Sequence, residues 1–193
     1  GSGKTTIIDI INGLLKATHG TLEIDGKVIT AQNKSSWQKN IGYVSQDIFL
    51  NDDTIIANIA MNKDIDLDKI IKVCKVANIH NFIKNLPQKY HSLVGERGKK
   101  LSGGQIQRIG IARALYNDRK VLILDEATSA LDDITQNMIM EAIQKLKNKI
   151  TIILISHRLE VFNKCDIVYK IDKGEIKKIM TFPTFMDNQY MAQ

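Results

Sequence analysis

Two adjacent carboxylates, Asp125 and Glu126, close the aliphatic run Val121-Leu122-Ile123-Leu124. A short unbroken apolar run reads as a strand buried on both faces of a parallel sheet. The carboxyl edge of such a sheet is where ligands sit in open α/β folds. Two acids placed there without partners would be costly to bury. Asp125 is therefore a candidate for holding a hard cation through oxygen, and Glu126 for orienting or deprotonating a water. Simple capping of the following turn is the plainer alternative. Upstream lies Leu101-Ser102-Gly103-Gly104-Gln105. Ser102 with Gln105 makes a capping-box pattern, which explains the serine and the glutamine but not the glycines. Each glycine costs about 1 kcal/mol against alanine in a helical turn. Both make sense if bare N–H groups at the positive end of a helix must approach an anion, for which phosphate is the expected chemistry.

The chain opens Gly1-Ser2-Gly3-Lys4-Thr5-Thr6. Gly3, Lys4 and Thr5 fill the last three places of the phosphate-loop pattern G-x-x-x-x-G-K-[ST]. The first glycine of that pattern, and the strand that should lead into it, would precede residue 1, so the chain reads as cut from a longer one. Lys4 would neutralise β/γ-phosphate charge and Thr5 would give its hydroxyl to Mg²⁺. A bare Gly-Lys-Thr run is common; a strand-borne acid downstream, here Asp125, is what gives it weight. Gln46 follows the strand-like Ile41–Ser45, where an amide oxygen can reach Mg²⁺ or a water, or can simply decorate a loop. His157 follows the apolar run Ile150–Ile155, on the same sheet edge as Asp125, which suits a phosphate contact.

The elements that must position these groups alternate between strands and helices. A helix region follows Lys4 and ends by Gly20, and the Asp25-Gly26 turn joins Thr21–Ile24 to Lys27–Ile29 as a hairpin. Thr54–Met61, Leu67–Ala77 and Ile79–Asn85 read as three helices, the last punctuated by Pro87. The run after Ser102 reads as a helix ending near Tyr116, and Ile134, Met138, Ala142, Ile143 and Leu146 follow helical spacing. Ile167–Ile171 and Glu175–Met180 flank Asp172-Lys173-Gly174 as a last hairpin, and the tail from Thr181 carries at most a short helix.

Composition sets the frame. The chain has 193 residues, 44% hydrophobic and 25% charged, values that suit one α/β domain with a real core rather than a disordered segment. The net charge is +6, but the lysines are scattered and not interleaved with aromatics, which reads as solvated surface and not as a nucleic-acid face. The two cysteines, Cys74 and Cys165, lack metal-ligand spacing and fit a reducing compartment. No apolar run approaches the roughly 20 residues that span a bilayer.

Taken together, Gly1–Thr6, Gln46, Leu101–Gln105, Val121–Glu126, Ser129-Ala130-Leu131-Asp132 and Ser156-His157-Arg158 resemble, in order and spacing, the nucleotide-binding domain of ABC transporters, over essentially the whole chain. The resemblance implies one ABC-type ATP-binding domain over residues 1–193, with about 47–116 as a helical subdomain carrying the signature. Its fold would be a P-loop NTPase-like α/β fold: a mostly parallel sheet with helices on both faces and an antiparallel piece near the N-terminus. It implies ATP and Mg²⁺ as cofactors. Gly1, Ser2, Gly3, Lys4, Thr5 and Thr6 would hold phosphates and metal. Gln46 would touch Mg²⁺ and sense a membrane domain, and Asp125 would order Mg²⁺. Glu126 would be the base and His157 the γ-phosphate contact. Ser102, Gly103, Gly104 and Gln105 would meet the γ-phosphate held by an opposite subunit, and Asp132 would lie at the dimer seam. Val94–Gly98 and Tyr43–Ile59 resemble exporter segments, which implies an upstream membrane domain, a second nucleotide-binding domain as partner, and residence at the cytoplasmic face of the membrane. A soluble relative acting on nucleic acid or ribosomes, and a non-catalytic interaction piece, are the alternatives. The sequence departs from the family pattern at Ile106 and Gly110, and in lacking the upstream aromatic that stacks on adenine.

Overall fold

The computed structural model describes residues 3–61, 64–128, 130–147 and 149–181. Gly1, Ser2, Ser129 and the tail with its expected short helix lie outside the described residues. In chain order the elements are α1 (Lys4–Ile11), β1 (Glu23–Ile24), β2 (Lys27–Val28), α2 (Lys34–Gln38), β3 (Ile41–Val44), α3 (Ile55–Ala60), α4 (Leu67–Val76), α5 (His80–Lys84), α6 (Gly103–Tyr116), β4 (Val121–Asp125), α7 (Asp133–Gln144), β5 (Thr151–Ile155), β6 (Ile167–Asp172) and β7 (Glu175–Thr181). They fall into two compact units, residues 42–157 and residues 1–41 with 158–193.

The 42–157 unit is organised by a three-stranded sheet in the order β3-β4-β5. β4 and β5 run parallel, with Val121 opposite Thr151 and Asp125 opposite Ile155. The middle strand β4 has its four aliphatic residues buried, as its composition demands. One apolar core joins this sheet to the helices: Ile55, Ile59, Ile70, Cys74, Ile83, Ile109, Ala112 and Ile139 pack in it with Leu122 and Leu124. Thr54 and Asp66 cap α3 and α4 by accepting from Ala57 N and Lys69 N, the placement that small polar residues favour at helix starts.

Helix α7 forms as its spacing predicts, but its buried face is Gln136, Ile139, Met140 and Ile143. Ile134 and Met138 are 76% and 50% exposed. The i, i+3, i+4, i+7 set beginning at 136 is the one turned to the core, so the apolar stripe read from Ile134 lies one position round the helix.

The other unit has two antiparallel hairpins, β1-β2 and β6-β7, at the places the turn residues mark. Its first helix stops at Ile11, well short of Gly20, because Gly13 adopts the left-handed φ of 67° and turns the chain away. The short α2 carries no sequence signal of its own. Its side chains close α1: Trp37 Nε1 donates to the Ile11 carbonyl at 2.6 Å and Gln38 Nε2 to the Asn12 carbonyl at 3.0 Å, satisfying carbonyls that a helix end leaves open.

Candidate nucleotide site

The carboxyl edge of the sheet brings three of the expected groups together. Asp125 is the last residue of β4, half-buried. Glu126 follows with its amide donating to the Ile155 carbonyl at 3.0 Å and its own φ at 49°. A left-handed φ at a non-glycine residue is uncommon and strained; here it turns the chain off the strand at the residue expected to handle water. The Glu126 carboxylate is 21% exposed, and His157, 71% exposed, places Nε2 3.0 Å from Glu126 Oε1. That contact is a hydrogen bond with neutral imidazole and an ion pair when the ring is protonated. From the neighbouring strand, Tyr43 Oη donates to Asp125 Oδ2 at 3.0 Å. The sequence had marked Asp125, Glu126 and His157; Tyr43 it had not.

The Ser102 corner has the predicted geometry. Ser102 Oγ accepts from Gln105 N at 3.3 Å, and Gln105 Oε1 accepts from Ser102 N at 2.9 Å, a complete capping box. As an acceptor there, the serine keeps a hydroxyl proton to give. Ser102 and Gly103 are exposed. Gly103 and Gly104 stand at the first two helical positions, whose N–H groups have no acceptor within their own helix. The second glycine has a further reason. A Cβ at Gly104 would lie 3.3 Å from the Ala130 carbonyl oxygen and 3.4 Å from Leu131 Cδ2, so the segment before Asp132 packs directly on the helix start. The buried Gln107 fastens the same contact, its Oε1 accepting from Ala130 N at 3.2 Å.

Asp132 caps α7 by accepting from Thr135 N at 2.9 Å. That backbone bond, helped by the Thr135 hydroxyl and the nearby Arg108 charge, holds its carboxyl below the usual range. Arg108 spans the same region, Nε to the Gly104 carbonyl and Nη1 to the Asn78 carbonyl.

Gln46 is exposed two residues beyond β3, where Ser45 Oγ donates to the Asp47 carbonyl at 2.6 Å and bends the chain around it. A cleft of about 300 Å³ opens beside this bend, lined by Tyr43, Ile48, Phe49, Met61, Gly110 and Arg113 among others. Phe49 and Met61 are 62% and 47% exposed. Arg113 holds the wall together by donating to the Asn58 carbonyl at 2.8 Å and the Phe49 carbonyl at 2.9 Å; burial lowers its pKa. Gly110 also finds its reason here: a Cβ would lie 2.4 Å from Ile48 Cδ1, so the missing side chain is the notch into which Ile48 fits.

In the other unit, Gly3 precedes α1 with φ 94°, Lys4 is partly buried, and Thr5 and Thr6 are exposed in the first turn. The donor chemistry of the expected set suits ATP and magnesium. A lysine and a helix start are groups that serve phosphate, and a carboxylate, an amide oxygen and a hydroxyl, the groups expected at Asp125, Gln46 and Thr5, are hard oxygens of the kind Mg²⁺ binds.

The profile of one known family, described as ABC transporter, matches residues 1–129. The chain belongs to the ABC transporter family. The ABC multidrug transporter mdr1 of Aspergillus fumigatus is 40% identical over 192 residues, which is 98% of this chain and 14% of that protein. The ATP-dependent lipid A-core flippase of Saccharophagus degradans is 41% identical over 188 residues, 97% of this chain and 32% of that protein. Among solved structures, a bacterial Atm1-family ABC exporter with ATP bound superposes with a TM-score of 0.91 at 35% identity, over 96% of this chain and 33% of that one. The chain thus spans a third or less of the length of each. Its mixed α/β fold, with a parallel sheet and antiparallel pieces, is the fold of an ABC exporter's nucleotide-binding domain. No helix among the described residues is long and apolar enough to cross a membrane.

Within this ABC domain, sequence reasoning missed Tyr43, the Gly104 packing and the Gly110 notch. Tyr43 carried one usable signal: it alternates with Gly42 and Val44 in a strand adjoining the one that ends in Asp125.

Proposed function

We propose that the chain, as one nucleotide-binding domain, binds ATP with Mg²⁺ and hydrolyses it as half of a head-to-tail pair, and that this drives export through a membrane domain at the cytoplasmic face of the membrane. The observation that carries the reading is the outward-facing start of α6, where Ser102 and Gly103 are exposed on a capped helix with its first N–H groups presented to solvent. A corner built this way serves an anion brought by another copy.

The roles follow from chemistry. The residues from Gly1 to Thr6 cradle the phosphates, with Lys4 on the β/γ oxygens. Thr5, Gln46 and Asp125 offer oxygen to magnesium, which when bound neutralises charge on the β and γ oxygens. Glu126 accepts a proton from the attacking water as the water oxygen bonds to the γ-phosphorus and the bond to the ADP oxygen breaks. His157 moves from Glu126 to donate to the γ-phosphate. Ser102, Gly103, Gly104 and Gln105 complete the site of the opposite copy, and Asp132 lies at the seam between copies. The cleft beside Gln46, with Phe49 and Met61 exposed, receives the membrane domain. Export is favoured over action on nucleic acid by the flippase, multidrug and exporter names of the relatives.

Glu126→Gln in the full-length protein tests this reading. Steady-state ATP hydrolysis should fall by about 10²–10⁴-fold, the usual contribution of a general base, while ATP still holds the protein as a dimer in size-exclusion chromatography. Equal turnover in variant and parent refutes the role of Glu126. Lys4→Ala should instead abolish nucleotide binding by calorimetry.

A further inference from the structure

We infer that Tyr43 is a positioning residue for magnesium, aiming the Asp125 carboxylate through its hydroxyl. The inference rests on the proposed metal role of Asp125. Tyr43 is the third residue of β3 and Asp125 the last of β4, neighbours in the sheet. The 3.0 Å bond from Tyr43 Oη to Asp125 Oδ2 joins a neutral donor to a charged acceptor, a class roughly twice as strong as a neutral pair. An aspartate's terminal torsion is broad and two-fold, so a carboxylate at a strand end has no preferred heading of its own. One bond to Oδ2 supplies that heading, and it fixes where Oδ1 points.

Ligating carboxylates are commonly oriented in this way by an outer hydrogen bond, and its loss weakens metal affinity by about 10–100-fold. Tyr43 is 41% exposed, so water can partly replace its hydroxyl and the lower end of that range applies. Phenylalanine is the informative replacement, because it keeps the ring that lines the cleft and removes only the donor.

The experiment uses the full-length protein in a Glu126→Gln background, where binding is read without hydrolysis. Mant-ATP fluorescence is followed as Mg²⁺ is titrated, and mant-ATP affinity is measured separately without divalent metal. Tyr43→Phe should raise the Mg²⁺ concentration at half-saturation about tenfold and leave metal-free nucleotide affinity unchanged. Asp125→Asn, the reference, should raise it further. An unchanged half-saturation for Tyr43→Phe beside a raised one for Asp125→Asn overturns the inference and leaves the role of Asp125 standing. An unchanged value for Asp125→Asn overturns both. A Tyr43→Phe variant that loses metal-free affinity to the same degree also overturns it, since a general distortion would do that.

Discussion

Asp125 ends a strand whose preceding residues are 8%, 1%, 0% and 0% exposed, from Val121 to Leu124, whereas Lys4 begins a helix that buries Ile8 alone. The contrast runs through both units. Residues 42–157 contain a continuous core from Val44 to Ile143. In the unit made of 1–41 and 158–193, the buried apolar residues among those described are Ile8, Trp37, Val161, Val168 and Met180. The acidic edge, the serine corner and His157 therefore sit on a frame held by packing. Helix α1, which begins at Lys4, is held by fewer buried side chains and by hydrogen bonds such as those closing its end. Groups proposed to orient water and metal would need fixed geometry, and the better-packed unit is the one that carries Asp125, Glu126 and His157.

The widest gap between the units should appear on truncating their cores. Ile123→Ala removes a fully buried side chain from the middle strand and should destabilise by about 4 kcal/mol, near the top of the range for such changes. Ile8→Ala should destabilise by about 2 kcal/mol, because a sparser surround collapses more readily onto the cavity. Urea unfolding of the full-length protein measures both. Equal values would mean that the two units are packed alike, and the contrast drawn from burial would be wrong.

The features legible in the sequence were those written locally. The capping box at Ser102 and Gln105, the Asp-Gly hairpin and the aliphatic strand ending in Asp125 each declare themselves within a few residues, and each formed where expected. What stayed hidden depends on distant neighbours. Helix α2 is polar and short, and its purpose, closing α1, involves residues 26 positions away. The turn of α7 that faces inward is decided by what it packs on, not by its own spacing. Gly110 read only as a departure from the family pattern because Ile48, which fills its notch, lies far off in the segment after β3. Tyr43 and Asp125 are 82 positions apart, so only the strand order makes them partners.

The Gly110 notch offers a sharper test of tight packing in the 42–157 unit. Gly110→Ala gains up to about 1 kcal/mol of helix propensity but drives a Cβ to 2.4 Å from Ile48 Cδ1, and overpacking of that kind costs about 1–3 kcal/mol. The single change should thus be net destabilising by about 1 kcal/mol. Ile48→Val removes the clashing Cδ1, so the double variant should recover most of the loss. A double-mutant cycle should give a coupling of about 0.5–2 kcal/mol. Additive effects would show that Ile48 does not occupy the notch.

The two thiols report the same contrast with the least perturbation, since their first comparison is made in the parent protein. Cys74 belongs to the core of the 42–157 unit and is 0% exposed; Cys165 is partly exposed beside Val168 and Met180 in the other. Burial pushes the Cys74 thiol up to about 12, against a smaller opposing effect of its hydrogen bond with Tyr90. The thiolate is the reactive form, and at pH 8 a thiol with that pKa is ionised only on the order of 1 part in 10⁴. Because the folded pKa is the higher one, the protonated thiol favours the native state below the thiol's ordinary value of 9.0, and that advantage fades as pH climbs towards 12. An aromatic disulfide reagent at pH 8 should therefore titrate Cys165 in the native protein and reach Cys74 only when urea opens the core. The Cys74 rate should track the equilibrium for unfolding rather than reagent concentration alone. Ile123→Ala, which removes a fully buried side chain from the same 42–157 unit, should speed Cys74 labelling by on the order of 10²–10³-fold while leaving Cys165 unchanged. Comparable native rates for the two thiols, or a Cys74 rate indifferent to Ile123→Ala, would remove the distinction between the units, because both outcomes require Cys74 to meet solvent without its core opening.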